Sequence, residues 1–187
     1  MRKNFGSKPW LYPMPVMIIG TYDENGVPCA MNAAWGSVTG FDRITICLDP
    51  GHKTVENMML KKEFTVSIAD AKNVIPADYV GIVSANDVPN KIEKTGWHVT
   101  KSEFVDAPVF EELPMTLECK MISYDPESEI LMGQIVNISI DESILNENGR
   151  VDLSKFKPII YDSVNHDYVT LGEKVGDAYT IGAKLRQ

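Results

Sequence analysis

The chain has 187 residues, 18 basic and 26 acidic, a formal net charge of −8 and 44% apolar residues. That size predicts one folded domain over residues 1–187 whose core needs no disulfide or metal staple, and the mix is too apolar for disorder. The acidic excess argues against nucleic-acid binding through phosphate contacts, and the composition excludes a collagen-like or membrane-embedded chain.

Arg2, Lys3 and Lys8 are followed by no apolar run of signal-peptide length. Pro9, Pro13 and Pro15, with Trp10 and Tyr12 among them, exclude a helix and predict an extended N-terminal arm over residues 1–14. Val16 to Tyr22 is apolar and β-branched, as a strand requires. Asn25-Gly26 is a tight-turn signal, so a return strand is expected from Val27 to Ala34. Arg43 to Leu48 alternates, with Ile44, Ile46 and Leu48 on one face. The period then changes: Val55, Met58, Met59 and Lys62 fall on one face of a helix expected over Thr54 to Lys62, with Thr54 as its N-cap. Glu63 to Ala69 is a further strand, and Asp70 is a candidate cap for a second helix near Val74 to Val83.

Ser84 to Gly96 is polar and turn-rich. Met115 to Tyr124 alternates, with Met115, Leu117, Cys119 and Met121 on one face. Ile130 to Ile140 alternates again, grouping Met132, Gln134, Val136 and Ile138, and the two form a long hairpin. Short strands are expected at Pro158–Tyr161 and Tyr168–Leu171. The fold class is therefore mainly β (α+β): antiparallel strands with two short helices, and a closed or nearly closed barrel to remove exposed edges.

Cys29, Cys47 and Cys119 cannot all pair within one chain. They read as buried reduced thiols, which places the expected location in the cytoplasm. His52, His98 and His166 stand in no metal-ligand or triad spacing, so no side chain is assigned as acid, base or nucleophile. Three clusters remain. Small residues in Asn32-Ala33-Ala34-Trp35-Gly36-Ser37 would let a planar ligand approach the backbone against Trp35; they equally suit a packed strand end. Asp49-Pro50-Gly51-His52-Lys53-Thr54 leads into a helix, where free N–H groups, the Lys53 charge and the Thr54 hydroxyl could hold a phosphate; an ordinary cap beside a surface lysine reads the same way. The third, Ser84 to Lys91, is by itself a solvated loop.

In their order and spacing the clusters resemble the flavin reductase family of FMN-binding split barrels, and flavoredoxin-like proteins in particular. The resemblance spans roughly residues 13–185. It rests on Pro13-x-Pro15, Thr21-Tyr22-Asp23-Glu24-Asn25-Gly26-x-Pro28, Asn32-Ala33-Ala34-Trp35, His52-Lys53-Thr54-x-x-Asn57, Glu63-Phe64-x-Val66-Ser67 and the tail from Lys157 to Gly172. It implies a flavoprotein homodimer with FMN near the interface and NAD(P)H as electron donor. It also implies that Asn32, Ala33, Ala34, Trp35 and Ser37 line the ring and ribityl chain, that Leu48 touches the ring, and that Lys53 and Thr54 hold the phosphate. Ser84, Asn86, Asp87 and Lys91 would close the site. The chain departs from the family in this last loop. Ala85 stands where a glycine is usual, the loop ends Asn90-Lys91-Ile92, and one added residue leaves Lys91 able to face ligand or solvent. The alternative activity is flavoredoxin-like electron transfer, with a redox partner protein in place of NAD(P)H.

Overall fold

The structure is a computed structural model describing residues 1–186. Residues 1–13 are exposed and carry neither helix nor strand. They lead into β1 (Met14–Pro15), β2 (Met17–Tyr22) and β3 (Pro28–Ala33). The hairpin between β2 and β3 turns where Asn-Gly predicts it. Gly26 takes φ +80°, and the Asp23 carboxylate accepts the N–H groups of Asn25 and Val27 at 2.8 Å each. β4 (Gly36–Gly40) and β5 (Arg43–Cys47) form a second hairpin. β4 is an element that the pattern of alternation does not announce, because it is an outer strand of small, mostly exposed residues. Gly36 is required there: a Cβ would meet Thr45 O and Met17 Cε, each at 2.8 Å.

Helix α1 (Lys53–Lys61) starts one residue earlier than expected. His52 occupies the N-cap position without a side-chain cap, and Thr54 lies inside the helix, buried. The buried face is Thr54, Val55, Asn57 and Met58, whereas Met59 is 42% exposed. β6 (Glu63–Ile68) and α2 (Val74–Ile82) follow. Asp70 does not cap α2. It ties the preceding turn, accepting from the N–H groups of Lys72 at 3.2 Å and Asn73 at 3.0 Å. Pro76 fits in the first turn, where no intrahelical N–H is needed.

A short hairpin, β7 (Val99–Lys101) with β8 (Pro108–Phe110), precedes the long pair β9 (Met115–Asp125) and β10 (Ile130–Ile140). β11 (Ile159–Asp162) pairs with β1 on one side and with β12 (Asp167–Thr170) on the other, in a small separate sheet. The main sheet has seven strands in the order β3-β2-β6-β9-β10-β5-β4, every pair antiparallel. The sheet curls but is not closed: β3 and β4 stay edges. Only Ala34 and Trp35 separate these strands in sequence, so their adjoining ends lie within about 11 Å of each other. The result is a split barrel.

One core fills the curl, with Ile46, Phe64, Val66, Cys119 and Leu131 each 0% exposed. A second lies behind β2 and β3, where Ile18, Ala77, Val80 and Phe110 pack together. β2 has a core on each face, which is why Val16 to Ile19 reads as an unbroken apolar run. On β10 the core-facing residues are Leu131, Gly133 and the partly buried Ile135, while Val136 and Ile138 are 37% and 45% exposed. Met132 and Gln134 of that grouping lie on the outer face, but beyond the bulge at Val136 the phase changes, and Ile138 pairs with the core residue Leu117. Register shifts between Met132 and Gly133 and between Ile135 and Asn137 break the simple alternation.

One surface ion pair gives a pH prediction. His98 Nδ1 lies 2.6 Å from Glu112 Oε1, and the His98 backbone N–H donates to Glu112 Oε2 at 2.9 Å. The hydrogen bond to Glu112, then its charge, raises the His98 pKa above the ordinary 6.5. A raised histidine stabilises the fold fully below its unfolded value, and that contribution is lost as pH climbs through the folded value. Melting curves at pH 6 and pH 8 should show a small drop in Tm on the alkaline side, and His98→Asn should remove that increment.

Candidate functional site

The site begins where three element ends meet. The N-terminus of α1, the C-terminus of α2 and the end of β3 enclose a polar cleft of about 210 Å³. Asn32, Lys53, Thr54, Ser84 and Lys91, far apart in sequence, all line it. The backbone N–H groups of Lys53 and Thr54 donate to no acceptor among the described residues, as expected for the first turn of a helix. The Thr54 hydroxyl sits 3.5 Å from Cys29 Sγ. Burial pushes the Cys29 thiol up, so it adds no negative charge there.

Lys91 faces inward, not toward solvent: it is 2% exposed. Its Nζ donates to Val80 O at 2.8 Å and to Val83 O at 2.6 Å, so it caps the end of α2 as a cation should. No carboxylate lies within ion-pair distance of it among the described residues. Burial lowers its pKa from the ordinary lysine value. Lys53, in contrast, is paired with Glu56 at 2.7 Å on the surface.

Asn32 is held in place by Nδ2 donating to Ala77 O at 3.1 Å and to the Tyr168 hydroxyl at 3.4 Å. That hydroxyl donates to Asp78 at 2.8 Å, and burial, then the Asp78 bond, pushes its pKa up to about 12. Ser84 Oγ accepts the Asn86 N–H at 3.1 Å, and Asn86 Nδ2 donates to Gly51 O at 3.3 Å, joining the third loop to the second. Asn86 and Asp87 are exposed and line no cavity described here.

The small-residue cluster divides. Ala33 is buried in the core, whereas Ala34, Trp35 and Ser37 line a different, larger cavity of about 540 Å³. Trp35 is half exposed, with its carbonyl fixed by the Cys47 N–H at 2.8 Å. Leu48, expected beside a ring, is instead 2% exposed within the core. Its neighbour Cys47 points the opposite way, as alternation demands, and lines this cavity; Cys47 is therefore half buried, unlike Cys29 and Cys119. The cavity's other wall is the arm, from Lys8 to Pro15. Sequence reasoning missed that wall, since an arm without periodicity gives no sign of what it crosses.

A family model for the flavin reductase like domain matches residues 10–165. The chain belongs to that family. The flavoredoxin of Desulfovibrio vulgaris (Miyazaki F) is 32% identical and superposes with a TM-score of 0.93 over 97% of this chain and 100% of its own. The flavoredoxin from Methanosarcina acetivorans is 25% identical, with a TM-score of 0.88 over 99% of each chain. An uncharacterized protein of Aquifex aeolicus (strain VF5) is 32% identical over 156 residues, 79% of each chain. The matched span of this flavin reductase-family chain takes in every residue that lines the smaller cavity and all those that line the larger one except Lys8 and Pro9. No helix among the described residues is long and apolar enough to cross a membrane.

Proposed function

We propose that the chain binds FMN and works as an oxidoreductase of the flavin reductase type, taking electrons from NAD(P)H and passing them to a flavin or another small acceptor. The observation that carries this reading is the buried Lys91 ammonium, with no carboxylate partner among the described residues, lining one cleft with the two free N–H groups that open α1. A desolvated cation and a helix N-terminus aimed into one cleft suit a phosphate. The fit extends to the rest of FMN: Thr54 and Ser84 offer hydroxyls at the tail, and the backbone from Asn32 to Trp35 leads away from the cleft along the end of β3. Bound FMN would supply the hydride chemistry itself, so the reaction would need no side-chain acid, base or nucleophile. The chain's own part is to hold the tail by charge and N–H groups, to fix Asn32 through Ala77 and Tyr168, and to set Trp35 as a wall.

The visible spectrum of the purified protein tests this. Paired bands in the near-ultraviolet and blue are expected, bleaching anaerobically with NADH or NADPH; a colourless protein that takes up no FMN would refute the reading. Calorimetry should find Thr54→Val weaker for FMN by about 1.5–3 kcal/mol, the worth of one hydrogen bond to a charged group. Lys53→Ala should cost less, since its ammonium is exposed and already paired.

A second reading is electron transfer from a partner protein in place of NAD(P)H. The net charge of −8 would suit a basic donor, and the flavoredoxin likeness covers nearly the whole chain. Bands that stay unbleached with excess NAD(P)H but fade with a reduced ferredoxin-type donor would select it. We also propose a homodimer: Val38, Val136 and Ile138 leave apolar side chains exposed on the sheet that a second copy would cover. Sedimentation of a monomer with flavin bound would contradict it.

A further inference from the structure

The arm and the larger cavity have no role in holding the phosphate, yet they are built together. Residues Lys8 to Pro15 lie over β4 and β5 and enclose about 540 Å³, within the range of about 300–1,000 Å³ typical of small-molecule sites. Trp10 and Pro13 face the space from the arm; Trp35, Cys47 and Ile130 face it from the sheet. Among the described residues Lys8 is the one charged residue lining it, and no carboxylate does.

The arm is fastened in this position at several points. The Tyr12 hydroxyl donates to Asp162 Oδ1, and Ser163 Oγ donates to Pro9 O at 3.3 Å, so the hairpin of β11 and β12 anchors it from 150 residues away. Trp10 packs against Phe5 with ring centroids 5.3 Å apart. Pro9, Pro13 and Pro15 have their φ angles fixed by the ring, which lowers the entropy lost in keeping the wall in place.

We propose that this arm-covered cavity binds a flat aromatic anion, with Trp10 and Trp35 as its apolar walls and Lys8 matching its charge. Indole faces favour planar, apolar ligands, and the lone lysine favours a carboxylate or sulfonate over a neutral or cationic substituent. Ala34 and Trp35 line this cavity and directly follow the end of β3, where the flavin reading places the ring. The ligand would therefore lie beside the flavin as its reaction partner, and in that respect the inference rests on the FMN reading.

The test is calorimetric titration of the FMN-loaded full chain with 2-naphthoate and with its neutral isostere 2-naphthamide, while flavin absorbance reports whether FMN stays bound. The acid should bind about threefold to fivefold tighter than the amide, the size of one exposed charge pair. Lys8→Ala should abolish that preference and leave the amide unchanged. Trp10→Ala should weaken both probes about tenfold, the loss of one aromatic wall. Equal affinities, or a preference that survives Lys8→Ala, would overturn the proposal. Displacement of FMN by the probe would overturn it too, by giving the cavity to the flavin ring. Absence of binding to a protein that sediments as a dimer would assign the cavity to the second copy. A chain that takes up no FMN fails the flavin reading visibly before any probe is added. The same titration on that flavin-free chain then decides the aromatic-anion site alone.

Discussion

Lys91→Met is expected to lower FMN affinity by about 10-fold to 100-fold, the worth of one charge-assisted hydrogen bond in a partly desolvated site. Stability should change much less. The variant leaves Val80 O and Val83 O without their donor, at about 1–3 kcal/mol for a fully buried group, but carbonyls in the last turn of a helix can be partly hydrated. It also removes the cost of burying an unpaired ammonium, which offsets part of that loss. The expected result is a folded protein with a Tm within several degrees of the parent and a much weaker flavin titration. An unchanged affinity would mean that Lys91 serves only to cap α2.

The second large effect lies in the core. At Gly133 a Cβ would stand 2.5 Å from Phe64 Cζ, and Phe64 is fully buried among β5, β9 and β10. Gly133→Ala is therefore expected to destabilise by about 1–3 kcal/mol through overpacking. Phe64→Ala should cost about 3–5 kcal/mol through the cavity it leaves. Because the two changes act on one space, the double variant should lose less than the two single losses combined. Denaturant unfolding of the four proteins gives the coupling directly. Additive losses would show that the Gly133→Ala loss does not arise from its contact with Phe64.

The sequence made legible those parts whose physics is local. The Asn25-Gly26 turn, the two-sided burial of β2, the change of period at α1 and the β9–β10 hairpin each follow from residues close together in the chain. The family was legible as an ordered set of motifs, and several of their residues do line one cleft. The orientation of those residues was not. Lys91 sits in a polar loop that reads as solvated, and only packing against the end of α2 turns it inward. Leu48 faces the core and its neighbour Cys47 the larger cavity, a one-residue difference that alternation turns into opposite faces. β4 escaped notice because an edge strand open to solvent needs no apolar pattern. The outward face of β10 was misgrouped because bulges shift its phase. The arm's role was hidden for a different reason: its anchor, Asp162, is remote in sequence and distinguished by no motif.

The unbonded edges of the sheet have a consequence for how occupancy would be felt. β3 and β4 are joined covalently through Ala34 and Trp35 but share no ladder, so the barrel has a seam that backbone hydrogen bonding leaves unzipped. A guest resting across those two residues would act as a clasp on that seam. It would couple the rim of α1 to the outer hairpin, and amide exchange along β3 and β4 should slow together when the guest arrives.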